Sequence, residues 1–297
     1  MRLARVLTDT GPRIAVMTVA GDHPRATLLE ATRFADLFLD GGWKHTARSA
    51  ARRGEAVTDP VLLNLADETT RIFCVGHNYR RHIQEMGRPL PEHPTVFFKM
   101  STATVGPIDD ILLPTSSAAM DWEVELAVVV ADELHDAPEE RCRQAIAGYT
   151  LINDVTARDW QHRTSQWFTG KNFERTTPIG PVIVTPDDLP QDRTGHVDIE
   201  ISCEVNGITR QRARTSDLVF PVPSLLGYLS RSVGLRPGDI VATGTPGGVG
   251  AAMNPPTFLQ PGDTVRTKAA GIGACVNHCR RRPRPRDRNQ RNIGGTS

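Results

Sequence analysis

Asp121-Trp122-Glu123-Val124-Glu125-Leu126-Ala127-Val128-Val129-Val130 combines an apolar run with two carboxylates two residues apart. From Trp122 to Val130 it is apolar and β-branched, the composition of a buried strand, and short for a helix. Side chains on a strand alternate faces, so Glu123 and Glu125 point the same way, about 7 Å apart along the chain. Trp122, Val124 and Leu126 take the other face. Bare carboxylates on a largely buried strand are costly, so a positive charge is expected over that face. A divalent cation meets the need, because hard cations take oxygen ligands. An edge strand with a solvated outer face would also tolerate the pair, and the surrounding motifs decide between the two.

Working outward, Gly148-Tyr149-Thr150-Leu151-Ile152 reads as a second strand that delivers Asn153-Asp154 at its end. Asp154 can supply a third oxygen ligand. Three carboxylates without clustered Cys or His favour Mg²⁺, Mn²⁺ or Ca²⁺ over zinc. Upstream, Ile72-Phe73-Cys74-Val75 reads as a strand running into Gly76-His77-Asn78-Tyr79, and Arg80 to Met86 can form one or two helical turns. On such a helix His82 and Glu85 are neighbours at i and i+3. A carboxylate beside an imidazole orients its tautomer and raises its basicity, as a general base acting on water requires. The same spacing also makes ordinary surface ion pairs. Gly87 to Pro94 is too rich in proline for regular structure and is expected as a lid loop. Lys99, ending the strand Thr95-Val96-Phe97-Phe98, is either a solvated terminus or an anion-binding group.

Further on, Lys171 follows a glycine turn at Gly170, and Asn206-Gly207 predicts a two-residue hairpin. The glycine-rich run Thr243 to Gly250 lacks the Gly-Lys-Ser/Thr ending of a phosphate loop. It reads as a rigid wall offering backbone N–H groups and the Thr245 hydroxyl to an anionic ligand.

Composition narrows the class. The chain has 297 residues, 39% hydrophobic and 23% charged, ordinary for a globular protein with a substantial core. Its 25 Gly and 22 Pro favour a turn-rich β or α+β fold over a helical bundle. The net charge of +1 hides a tail from Arg280 to Arg291 carrying +6, which leaves the rest near −5. The body therefore gives no reason to expect nucleic-acid binding, and the tail is expected to be disordered. No apolar run is long enough for a membrane span, and the N-terminus lacks the apolar core of a secretory signal. Five scattered Cys fit reduced thiols in a cytoplasm. Cys275, His278 and Cys279 lack the second pair that a zinc site needs. Residues 1–67 read as a small N-terminal domain, residues 68–279 as the catalytic domain, and residues 280–297 as the Arg/Pro-rich tail.

Taken together, several motifs resemble the fumarylacetoacetate hydrolase family. They are Gly76-His77-Asn78-Tyr79 with His82 and Glu85, Asp121-x-Glu123-x-Glu125, Asn153 to Asp159, Gly170-Lys171, and Thr243-Gly244-Thr245-Pro246-x-Gly248-Val249-Gly250. The resemblance covers about residues 70 to 279. It implies an α+β, β-rich fold with a mixed β-roll domain, commonly a homodimer, and an Mg²⁺ or Mn²⁺ site with Glu123, Glu125 and Asp154 as ligands. His82 and Glu85 match the dyad that activates water, and Lys171 matches a lysine that steadies negative charge. Gln161 and Thr245 match positions that contact the substrate carboxylate, with Arg158 and Gly244 of the same motifs on the substrate side. Two departures are Asn172, where the family's usual residue is Ser, and Glu174, where Asp is common. The implied activity is hydrolysis of a C–C bond in an acylpyruvate- or fumarylpyruvate-type acid. Decarboxylation, isomerisation or hydration of related 2-oxo acids are the alternatives in the same pocket. A catalytically silent metal-binding protein and a nucleic-acid role for the tail are the alternatives of other classes.

Overall fold

The quoted stretch forms the central strand of a computed structural model that describes residues 1–20, 23–54, 56–85 and 87–283. That strand runs Val124–Val130 and is buried along its whole length. It starts two residues later than composition suggests, for a local reason. The Glu123 N–H donates to Asn153 Oδ1 at 2.8 Å and the Val124 N–H to Gln211 Oε1 at 2.9 Å. Side chains thus take donors that a neighbouring strand would otherwise use.

From one edge, the large sheet runs Ala56–Thr58, His23–Leu28, Gly11–Ala20, Arg2–Thr8 and Thr177–Val184. It continues through Ile146–Asn153, Val124–Val130, Ile240–Ala242 and Ile72–Gly76 to Thr95–Lys99. A second sheet runs Ile208–Arg214, Glu200–Val205, Thr264–Ala269, Gly273–Arg281 and Ile111–Leu113. Its first hairpin turns at Asn206 and Gly207, both with positive φ, as the dipeptide predicts.

The period of two along the central strand sorts its side chains into two cores. Val124, Leu126, Val128 and Val130 join Ile201, Cys203 and Val265 of the second sheet and Leu225, Leu226 and Leu229 of the helix Val222–Ser232. Ala127 and Val129 join Phe34, Phe38 and Trp43 of the N-terminal helices, with Ile72, Cys74 and Ile152. Glu123 and Glu125 precede this second set on the same alternation. Antiparallel pairing of Val124 with Asn153 then fixes the third carboxylate. Asp154 lies one residue past the ladder, and its N–H donates to the Glu123 carbonyl at 2.8 Å.

The sheet crosses the boundary expected at 67/68 without a break, since Arg2 and Leu3 pair with Val184 and Ile183. Leu3, Ile14 and Phe38 share a core with Ala127, so the first 67 residues are not packed separately from the rest. The far boundary also moves. Cys279, Arg280 and Arg281 pair with Ile111, Leu112 and Leu113, and the Arg282 N–H donates to Leu113 O at 2.8 Å. Arg280 and Arg281 are therefore strand residues rather than the start of a disordered tail. Residues 284–297 of the expected tail lie outside the described residues. Cys275 and Cys279 face inward and His278 outward, so the strand separates the groups of the apparent metal clip. All five cysteines are buried and free. Among the described residues no helix is long and apolar enough to cross a membrane.

Candidate active site

Glu123, Glu125 and Asp154 converge so that one oxygen of each lies within 4.8 Å of the others, and all three are buried. Glu123 and Glu125 line a cavity of about 410 Å³ together with His77, His82, Arg88, Arg158, Gln161 and Lys171, and Asp154 lies behind that wall.

Lys171 closes the helical turn Phe168–Lys171 rather than following a glycine turn. Gly170 makes this turn possible. A Cβ there would come within 2.6 Å of the Gln161 backbone, so only glycine lets this turn lie against the neighbouring helix Arg158–Gln161. The Lys171 Nζ donates to Glu123 Oε2 at 2.6 Å and to Asp154 Oδ2 at 2.7 Å. Burial opposes its charge, but these two carboxylates prevail and raise its pKa. Asn172 anchors the same turn. Its Oδ1 accepts the Met100 N–H at 2.6 Å and its amide donates to the Phe98 and Phe168 carbonyls. Glu174, the other departure, pairs at the surface with Arg282.

Two residues whose part was not apparent from the sequence complete the frame. Lys99 is fully buried, with its Nζ 2.8 Å from Asp154 Oδ1. It also donates to Thr177 Oγ1 at 2.9 Å and to the Lys171 carbonyl. Burial alone would raise the Asp154 carboxyl, yet Lys171 and Lys99 together hold it at about 2. Asp121 accepts the N–H groups of Trp122, Gly250 and Ala251 and the Arg158 Nε at 2.8 Å. It thereby ties the glycine-rich wall to Arg158, whose other arm lies 2.7 Å from Glu123 Oε1 and whose Nη1 donates to Gln161 Oε1.

Glu125 is the exception in this charge pattern. Its Oε2 accepts the Gly244 N–H at 2.8 Å, and no Lys or Arg pairs with it among the described residues. Burial, with Asp154 and Glu123 as like-charged neighbours, pushes its carboxyl well above the usual range. A buried carboxylate without a cation, beside two more oxygen donors, is a donor set that fits a hard divalent ion.

His82 comes from the helix Arg80–Glu85, as the i,i+3 spacing predicts. It borders the same cavity, while Glu85 borders an adjoining cavity on its other side. Their closest approach, Nδ1 to Oε2, is 3.9 Å, longer than a hydrogen bond. Burial, only partly offset by Glu85 and Glu123, lowers the His82 pKa, so the ring is neutral at pH 7. Gln161 stands on the cavity wall. Gly244 and Thr245 do not. The Gly244 N–H is taken by Glu125, and the Thr245 hydroxyl donates to Val124 O while accepting from Gln211. These two groups brace the central strand, and their polar atoms are already occupied.

Residues 71–280 match the family model described as "Fumarylacetoacetate (FAA) hydrolase C-terminal". Over 248 residues the chain is 39% identical to a mitochondrial oxaloacetate tautomerase of Rattus norvegicus, covering 81% of this chain and 77% of that protein. A 5-carboxymethyl-2-hydroxymuconate delta-isomerase from Mycobacterium smegmatis matches with a TM-score of 0.77 at 33% identity, over 96% of this chain and 100% of that one. A fumarylacetoacetate hydrolase from Exiguobacterium antarcticum matches with a TM-score of 0.82 at 31% identity, over 95% and 100%. The expected β-rich α+β fold is the fold of these structures.

Proposed function

The chain belongs to the fumarylacetoacetate hydrolase family of enzymes, and on that premise we propose that it moves a proton at the carbon beside the keto group of a 2-oxo acid, using Mg²⁺ or Mn²⁺. One observation carries the reading: a neutral imidazole, His82, lines a cavity together with Glu123 and Glu125 of a buried three-carboxylate cluster, in which Glu125 has no basic partner among the described residues.

Glu123, Glu125 and Asp154 would hold the ion, which when bound supplies Lewis acidity toward the oxygens of a 2-oxo acid. The remaining work falls to the chain. Glu85 faces the His82 Nδ1 side, which leaves Nε2 for the substrate. As a neutral base, Nε2 takes the proton from the carbon beside the keto group, and the imidazolium returns it at the other end of the enol system. Arg158 and Lys171 keep the carboxylates in place and set the cavity's charge. The Gln161 amide donates to the substrate carboxylate. Relatives named as an oxaloacetate tautomerase and a delta-isomerase support proton transfer as the whole reaction.

Hydrolysis of an acylpyruvate-type C–C bond is the second reading, favoured by the His82–Glu85 pair. In that case His82 takes its proton from water, and the resulting hydroxide attacks the distal carbonyl. The test gives the chain Mg²⁺ or Mn²⁺ and follows two reactions, the enol–keto interconversion of oxaloacetate and the release of pyruvate from acetylpyruvate. Accelerated interconversion that disappears in His82→Ala supports proton transfer. Pyruvate release alone replaces it with hydrolysis, and no activity on either compound removes both.

A further inference from the structure

The His82 ring stands between two cavities. One is the cavity it lines with Glu123 and Glu125. The other, of about 500 Å³, lies on its Glu85 side and is bordered by Gly247 and Gly248 of the glycine-rich wall. Glu85 itself is held by little. Its side chain is 69% exposed and makes no hydrogen bond among the described residues, and it comes no closer than 3.9 Å to His82 Nδ1. Its own helix gives no reason for the carboxylate to stand there rather than in solvent.

The wall supplies the reason. A Cβ at Gly247 would come within 2.7 Å of Glu85 Oε2 and 3.4 Å of His82 Nδ1, so the carboxylate borders space that a side chain at 247 would fill. The backbone there is pinned on both sides. The Gln211 amide donates to Pro246 O at 2.9 Å, and the Trp122 indole N–H donates to Gly248 O at 3.0 Å. Of the two groups that meet position 247, the His82 side chain is 13% exposed and enclosed, whereas Glu85 ends a flexible chain facing solvent. A side chain at 247 therefore displaces Glu85. The backbone does not itself demand glycine, because Gly247 is not among the residues of positive φ. Nor does the glycine-rich motif, which leaves this position open.

We propose that Gly247 is a positioning residue, whose missing side chain leaves the seat in which the Glu85 carboxylate faces His82 Nδ1. The role suits a base. A carboxylate on the Nδ1 side favours the tautomer protonated there, which leaves Nε2 free to accept a proton. This inference rests on the reading of His82 as the base and adds the residue that keeps its partner in place.

The experiment follows the His82 ring by NMR in the full chain, its signals identified by their loss in His82→Ala, across Gly247→Ala, Glu85→Gln and the double variant. Burial lowers the pKa of this ring, Glu85 and Glu123 raise it, and Arg158 lowers it. Gly247→Ala should lower it, as Glu85→Gln does, and should change nothing further in the Glu85→Gln background. Interconversion of oxaloacetate with Mn²⁺ present follows the same pattern. Its kcat falls in either single variant, and the double variant stays within about twofold of Glu85→Gln, where independent sites would multiply. An unmoved ring in Gly247→Ala, or equal shifts with and without the Glu85 carboxylate, overturns the seat whether or not the chain acts on oxaloacetate. A ring that moves as expected in a chain inactive on oxaloacetate supports the seat and overturns the reaction.

Discussion

Lys99→Met tests whether the frame beneath the cluster is held by charge. The substitution keeps a buried aliphatic stem of similar length and removes one ammonium that contacts Asp154 Oδ1, Thr177 Oγ1 and the Lys171 carbonyl. Removing one partner of a buried ion pair costs about 3–5 kcal/mol, because the other charge stays buried. Asp154 retains Lys171, which places the expected loss near the lower end, about 3 kcal/mol. With an unfolding entropy of about 2.1 cal/mol/K per residue, that lowers Tm by about 5 °C for a chain of this length. A second effect has a definite sign. Asp154 is held at about 2 in the fold, against 3.8 ordinarily, so its contribution is present above 3.8 and disappears as pH falls through about 2. Without Lys99 the folded value rises toward 3.8, so the part of the acid loss that Asp154 contributes becomes smaller and is complete at higher pH. Calorimetric melts of both proteins from neutral to acid pH measure the two effects. A Tm within about 1 °C of native, with an unmoved acid transition, refutes the account of Lys99.

Two further outcomes follow from the site. Because burial lowers the His82 pKa below 6.5 and the neutral ring is the base, the acid limb of kcat/KM should lie below 6.5. Glu85→Gln removes an influence that raises that pKa, so its limb moves to still lower pH, and a limb moving upward would contradict the arrangement. The same His82 shift makes the fold lose stability as pH falls from 6.5 toward the folded value, since the unfolded chain then binds more protons. Gly170→Ala pushes a Cβ to 2.6 Å from the Gln161 backbone, so a loss of about 1–3 kcal/mol in unfolding free energy is expected, with reduced turnover as Lys171 shifts. Denaturant curves coincident with native would show that the two helical turns are not in contact.

Much of the site was legible because it depends on local periodicity. Two carboxylates at i and i+2, a third at the end of the next strand and a dyad at i and i+3 need only strand and helix geometry. Lys99 was not legible. Whether a lysine ending a strand is solvated or fully buried depends on Asp154 and Thr177, tens of residues away. Asp121 stood in the motif, but its hold on Gly250 and Ala251 exists only once 130 residues have folded back. Thr245 shows the converse. Its hydroxyl reads as free in the sequence, and Val124 and Gln211 occupy it in the fold. The small N-terminal domain read from composition also changes meaning, because strand pairing from Arg2 to Val184 cannot be inferred from local pattern.

Glu123, Glu125 and Asp154, with Glu125 short of a cation, are proposed as a divalent-ion site. Calorimetric titration of Mn²⁺ into the native chain and into Glu125→Gln tests it most directly. One ion per native chain is expected, with an affinity that rises with pH as the Glu125 proton is displaced. In Glu125→Gln the affinity should fall by more than the about 10- to 100-fold typical of outer-shell changes. Equal binding by the two proteins, or no binding by the native chain, would contradict the account.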